Sequence, residues 1–231
     1  MVKHTGKDIQ PFPEKDERDF GYLVTRTTAG AMPFIGSGLQ EVLDAAIGRP
    51  SEKRRVAWFK TIGEALQEVC KQVAGLTPEA LGENEKFQDV VAKATDIALR
   101  NHHAEKLEAL RNIVINTASG ISIDDVLKNT FLDLVDRFSP QHIVVLRLNN
   151  NPASSPEMVA KAKVMMAGPF RELLRAAMPG CPENILDQVE SDLVAAQLTG
   201  SNSKGMQTGG NSLLQSRTTE RGNAFIQFIS R

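Results

Sequence analysis

Cysteine is nearly missing from this sequence. Its 231 residues hold only Cys70 and Cys181, too few and too far apart for a disulfide framework or for paired metal-ligand spacing. With no signal peptide at the start of the chain, a reducing cytoplasm is the expected compartment. An excess of either charge is missing as well: 27 Lys plus Arg stand against 28 Asp plus Glu, which excludes a globally basic nucleic-acid coat while leaving room for local patches. Long apolar runs are absent too. The longest stretch without a charged residue, Thr27 to Gln40, spans 14 residues and is broken by Gly30, Pro33, Gly36 and Gly38, short of the roughly 20 apolar residues that a membrane-spanning helix needs. What is present is the composition of a soluble globular protein, 41% apolar and 24% charged, in a chain long enough to bury a sizeable core.

The apolar residues recur at helical spacing. Residues 1–17 mix charges with Pro11 and Pro13 and read as a flexible arm. Residues 18–121 read as a helical bundle with short connections. Two short helices are expected around a Pro33–Gly36 turn, and Ser51 stands where it can cap the clearest helix, 52–74, with Val56, Phe59, Ile62, Leu66, Val69 and Val73 on one stripe. Gly75 ends that helix and Thr77-Pro78 restarts the chain into one carrying Phe87, Val90, Val91, Ala94, Ile97 and Ala98. A further stripe of Leu107, Leu110, Ile113 and Val114 closes at Ser119-Gly120.

A second unit, residues 122–231, opens at Ser122 with a helix whose Ile123, Val126, Leu127, Phe131, Leu134, Val135 and Phe138 are expected inward. Helices follow from Pro140 to Leu148, from Pro156 to about Ala177 and from Pro182 to about Leu198. Ser212 to Ser216 reads as a short strand, and Phe225, Ile226, Phe228 and Ile229 as the apolar side of a closing piece. This order of helices, small polar segment and closing helix resembles a winged-helix domain. Thr218-Thr219-Glu220-Arg221-Gly222 is similar to the LT-x-x-G element that closes the wing in bacterial MarR-like regulators. More broadly the chain resembles uncharacterised bacterial all-helical proteins whose helical N-terminal half, with a Pro-x-x-Gly turn like Pro33 to Gly36 and an EK-x-x-AL-x-N element like Glu105 to Asn112, precedes such a module. Residues and resemblance together give the expected fold: mainly α, an N-terminal helical bundle followed by a winged-helix-like unit with a short β-hairpin. The resemblance also implies a setting in bacterial regulation or anti-phage systems, and no chemistry.

Charge decides how such a module is used. A winged helix that binds duplex neutralises phosphates with basic side chains. Here the third helix carries Glu183, Asp187, Glu190 and Asp192 without a cation, and only Lys204, Arg217, Arg221 and Arg231 follow it, against Glu220. DNA binding through Lys204, Arg217 and Arg221 is therefore the alternative, and contact with a protein partner the leading expectation. Lys53, Arg54 and Arg55, beside Trp58, place positive charge at a helix N-terminus, where the macrodipole disfavours it. These four are the candidate partner-binding residues, with pairing to Glu52, Glu41 or Asp44 as the competing account of the cluster.

Catalytic motifs are missing. There is no G-x-S-x-G elbow, and Gly36-Ser37-Gly38 lacks the Lys-Ser/Thr ending of a phosphate loop. His102 and His103 diverge by about 100° on a helix and cannot share one ion. His4 and His142 have no Cys or second His beside them in sequence, and neither cysteine has a local base. No metal, no cofactor and no enzymatic activity are expected. Residues 30–47 offer a third reading, an apolar hairpin inserting into a membrane surface, although Glu41 and Asp44 stand where interfacial helices present Lys or Arg. Long amphipathic helices and a single Trp and Tyr point instead to a non-enzymatic protein acting through protein contacts and self-association as a homo-oligomer.

Overall fold

A computed structural model of the chain describes residues 52–200, 205–208 and 210–231. The arm, the Pro33–Gly36 turn, the hairpin at 30–47 and Lys204 lie outside them. The described chain is mainly helical: α1 Glu52–Gln72, α2 Pro78–Glu83, α3 Glu85–Arg100, α4 Ala104–Ala118, α5 Asp125–Arg137, α6 Pro140–Asn150, α7 Pro156–Val164, β1 Ala167–Pro169, α8 Arg171–Ala177, α9 Glu183–Ala195, β2 Met206–Thr208 and α10 Glu220–Ile229, with 3₁₀ turns at Pro152–Ser154 and Gly210–Leu214.

Capping chemistry sets the boundaries. Thr77 accepts from the Ala80 amide and Pro78 sits in the first turn of α2. Asn84 then ends α2 and starts α3, its Oδ1 accepting from the Phe87 amide at 3.0 Å, so the single helix expected after Pro78 becomes two. Gly120 takes φ +77, which lets the Ile121 amide reach back to the Asn116 carbonyl at 3.0 Å and close α4.

Several expectations shift. On α1 the buried stripe is Trp58, Phe59, Ile62, Ala65, Leu66 and Val69, while Val56 is exposed. Asp124, not Ser122, caps α5 by accepting from the Val126 amide at 2.9 Å, which leaves Val126 in the first turn at 74% exposure instead of inward. The helix expected from 156 to 177 is interrupted by β1. Pro169 has no amide to continue a helix, and a Cβ on Gly168 would lie 2.3 Å from Met165 Cε. The strand expected at 212–216 is instead the end of a 3₁₀ turn, and the strand lies upstream at β2. β2 pairs antiparallel with β1, Ala167 opposite Thr208, Gly168 opposite Gln207 and Pro169 opposite Met206. The expected β-hairpin is thus not formed among the described residues: the ladder joins segments on either side of α8 and α9, and Thr199 meets Thr218 in an isolated antiparallel bridge.

The buried side chains form one contiguous core from Trp58 to Ile229, with members on both sides of residue 121. Its aromatic centre is Phe131 against Phe225 at 5.1 Å and Phe228 at 6.0 Å between ring centroids. Of the three sequence elements behind the family resemblance, the two that lie among the described residues act as backbone caps. Lys106 donates to the Asp136 carbonyl at 2.7 Å, in the last turn of α5. Asn112 donates to the Ile229 carbonyl at 3.1 Å, and Asn116 to those of Phe228 at 2.9 Å and Ser230 at 2.8 Å, so α4 satisfies the end of α10. At the other end of α10, Thr219 Oγ1 accepts from the Gly222 amide at 3.0 Å and donates to the Gln197 carbonyl at 2.6 Å. A Cβ on Gly222 would meet the Leu198 carbonyl oxygen at 1.9 Å, which is the physical reason for glycine in the TT-x-x-G segment.

Candidate functional site

The acidic helix α9 is where the structure departs most from its sequence reading. Glu183, Asp187 and Glu190 recur one helical turn apart, and all three converge on Arg171 at the start of α8. Arg171 is 4% exposed; its Nε donates to Glu183 at 2.8 Å, and its two terminal nitrogens donate to Asp187 and Glu190. Arg175 adds a second cation to Glu183 at 2.6 Å and pairs with Glu172 at 2.8 Å. The fourth carboxylate, Asp192, pairs with His142 at 3.1 Å. A line of uncharged exposed residues remains on α9, Asn184, Gln188, Ser191 and Ala195, flanked by the exposed Ile185 and Val194.

His142 belongs to the first turn of α6. Its Nδ1 accepts from the Ser139 amide at 3.1 Å and lies 2.8 Å from Ser139 Oγ. An amide only donates, so Nδ1 carries the lone pair and the ring proton sits on Nε2, donating to Asp192 Oδ2 at 3.1 Å. The ring is stacked on Phe138, 4.6 Å between centroids and 7° from parallel. Burial pushes the Asp192 carboxyl up, but hydrogen bonds from Gln188 and His142, with the charge of Arg137, outweigh it and hold it below its ordinary value. Against this group opens a cavity of about 660 Å³, lined by Ser139, Gln141 and His142, by Met178, Gly180, Cys181 and Pro182 of the α8–α9 turn, and by Ile185, Gln188 and Val189 of α9.

The residues singled out in the sequence have other occupations. Trp58 is 5% exposed and its indole N–H donates to Thr95 Oγ1 of α3 at 3.0 Å, so its ring is a core anchor, not a surface contact. Arg54 donates to the Leu99 carbonyl at 3.1 Å, placing its charge at the C-terminal end of α3, where the macrodipole favours it. Arg55 is half-buried, and the Lys53 side chain lies outside the described structure. Arg217 stacks its guanidinium 4.1 Å over the Phe170 ring, and burial lowers its pKa against the opposing pull of Glu190. Arg221 is half-buried. Arg217 and Arg221 are therefore not presented together as an exposed cationic pair. His102 and His103 lie in the link between α3 and α4 with ring centroids 4.1 Å apart and planes tilted by 35°, and among the described residues no group of three or more His, Cys, Asp and Glu is placed to hold a metal ion. Burial raises the pKa of Cys70, reinforced by Glu79, away from the thiolate.

Sequence reasoning missed His142 with Asp192, which come together only because α9 packs on α6. For Arg171 a signal existed, three acidic residues at helical spacing with no cation on their own helix. No protein-family model, curated protein or solved structure matches this chain.

Proposed function

We propose that this chain is an interaction protein, that residues 122–231 are a winged-helix-like unit within it, and that the outward line of α9 is its contact face, used first for self-association. The order α7, β1, α8, α9, wing segment and α10 supports the winged-helix reading, as does the TT-x-x-G turn that seats α10 on Leu198. The observation that carries the contact reading is the partnering of every acidic side chain of α9. The face that remains carries the Asn184 amide and the Ser191 hydroxyl, each both donor and acceptor, with Gln188, whose Nε2 donates to Asp192, and Ala195 beside them and Ile185 42% and Val194 37% exposed at its edges. Such a face can pair with its own copy about a two-fold axis, where a singly charged face would meet its own sign. A bacterial regulatory or anti-phage setting comes from the resemblance alone, and a cytoplasmic location from the scarcity of cysteine.

The DNA-binding alternative shares the layout and lacks an exposed cationic pair, since Arg217 is half-buried against Phe170 and Arg221 is half-buried as well. Insertion of residues 30–47 into a membrane surface lies outside the described residues, in which no helix is long and apolar enough to cross a membrane. Light scattering of the purified chain over a concentration series, with and without a random DNA duplex at low and physiological salt, separates these readings. The expected result is a mass above one chain that ignores duplex and falls to one chain in Ile185→Glu and Ser191→Glu. A salt-sensitive gain in mass with duplex would transfer the assignment to DNA binding, and a single-chain mass at every concentration would end the self-association reading.

A further inference from the structure

We propose that Ser139, His142 and Asp192 form a nucleophile, its base and a positioning carboxylate, and that the cavity in front of them accepts small apolar acyl esters for hydrolysis. Both links are within hydrogen-bond reach, 2.8 Å from Ser139 Oγ to His142 Nδ1 and 3.1 Å from His142 Nε2 to Asp192 Oδ2. The Ser139 amide fixes the tautomer in which Nδ1 is unprotonated, with Ser139 Oγ facing the same lone pair, and Asp192 takes the remaining ring proton, so an imidazolium formed at Nδ1 faces a carboxylate across Nε2. This is the division of labour of a serine, histidine and aspartate triad, with the other ring nitrogen turned to the hydroxyl. A helix capping box accounts for Ser139 and His142 alone. It does not account for a carboxylate from a helix 50 residues on holding the far nitrogen, nor for the cavity that opens on Ser139.

The surroundings suit the chemistry. Ser139 is the N-cap of the 11-residue helix α6, whose partial positive end favours an oxyanion. Gln141 lines the cavity, and its amide belongs to the first turn, where helical amides have no acceptor within the helix. His142 is 9% exposed and held by its stack on Phe138, and Asp192 is fixed further by Gln188 at 3.0 Å. Met178, Pro182, Ile185 and Val189 give an apolar wall for an acyl chain. In the first step Ser139 Oγ bonds to the acyl carbon while its proton passes to Nδ1. The tetrahedral oxyanion then collapses with cleavage of the ester C–O bond, and the departing alkoxide takes that proton. Water, losing a proton to the same nitrogen, attacks the acyl-serine, and collapse releases the acid with the proton returned to Ser139. The proposal is independent of self-association, although Ile185 and Gln188 border both surfaces.

The test treats the full chain with a fluorophosphonate, in which attack by a nucleophilic serine displaces fluoride and leaves a phosphonyl group on Oγ, and with p-nitrophenyl butyrate. Ser139→Asn still caps the helix, so it removes the nucleophile while keeping the fold, which its melting temperature verifies. The expected result is an adduct mapped by peptide mass to Ser139, lost together with butyrate hydrolysis in Ser139→Asn. Asp192→Asn should lower kcat by about 10³-fold or more with KM little changed. A folded wild-type chain without an adduct on Ser139, an adduct on Cys181 in its place, or hydrolysis that survives Ser139→Asn would each overturn the assignment.

Discussion

One guanidinium decides how α8 meets α9. Arg171 is buried under Glu183, Asp187 and Glu190, and Glu190 itself is only 14% exposed. Removing the cation leaves like charges stranded together, the costly way to break a buried pair. Arg171→Met is expected to lower stability by about 3 kcal/mol, read as a fall in the urea midpoint at unchanged slope. Arg171→Lys should recover little, because an ammonium cannot reach three carboxylates in the planar fork that a guanidinium offers. Gly222→Ala tests backbone contact at the same scale. The new Cβ would sit 1.9 Å from the Leu198 carbonyl oxygen, and α10 has to shift to admit it, an expected loss of about 2–3 kcal/mol by the same denaturation measurement. Neither effect is visible from residue type alone, since each depends on what another helix places against the side chain.

At the level of elements, the helices hold one another by their ends. Asn112 and Asn116 on α4 serve the last carbonyls of α10, Lys106 serves the end of α5, and Arg54 serves the end of α3. Asn112→Ala therefore orphans a buried carbonyl, with an expected cost of about 1–3 kcal/mol; native-state hydrogen exchange should show the amides of α10 losing protection ahead of those of α3. The expected strand at 212–216 and the unbroken helix at 156–177 failed at this scale. Pattern reading saw apolar spacing there but not the pairing of β1 with β2, which links segments 37 or more residues apart through the Ala167, Gly168 and Pro169 register. Helix existence was legible throughout the described chain, because amphipathic spacing and local caps such as Asn84 and Gly120 are properties of a few neighbouring residues.

For the whole molecule, the single core from Trp58 to Ile229 predicts one cooperative unfolding transition, with near-coincident loss of helix signal and Trp58 fluorescence; two separated transitions would show that the parts on either side of residue 121 fold independently. Its acid limit follows from carboxylates held below their ordinary values: hydrogen bonding to Lys86 lowers Asp125, hydrogen bonding to Arg231 lowers Glu68, and in Asp192 the partners win over burial. A carboxylate depressed in the folded state stabilises it fully above the unfolded value and ceases to as pH falls through the folded one. Stability is therefore expected to hold from neutrality down to about pH 5 and to fall as pH drops below the ordinary values of 4.5 for Glu68 and 3.8 for the two aspartates, as followed by urea titration at each pH. Spacing, caps and composition act over a turn or two, and they suffice to specify a helical chain, its main breaks and an acidic α9. That Trp58 is interior, that Arg171 and His142 meet the acids of α9, and that Ser139 opens on a cavity follows from packing between distant segments, for which local sequence carries no code.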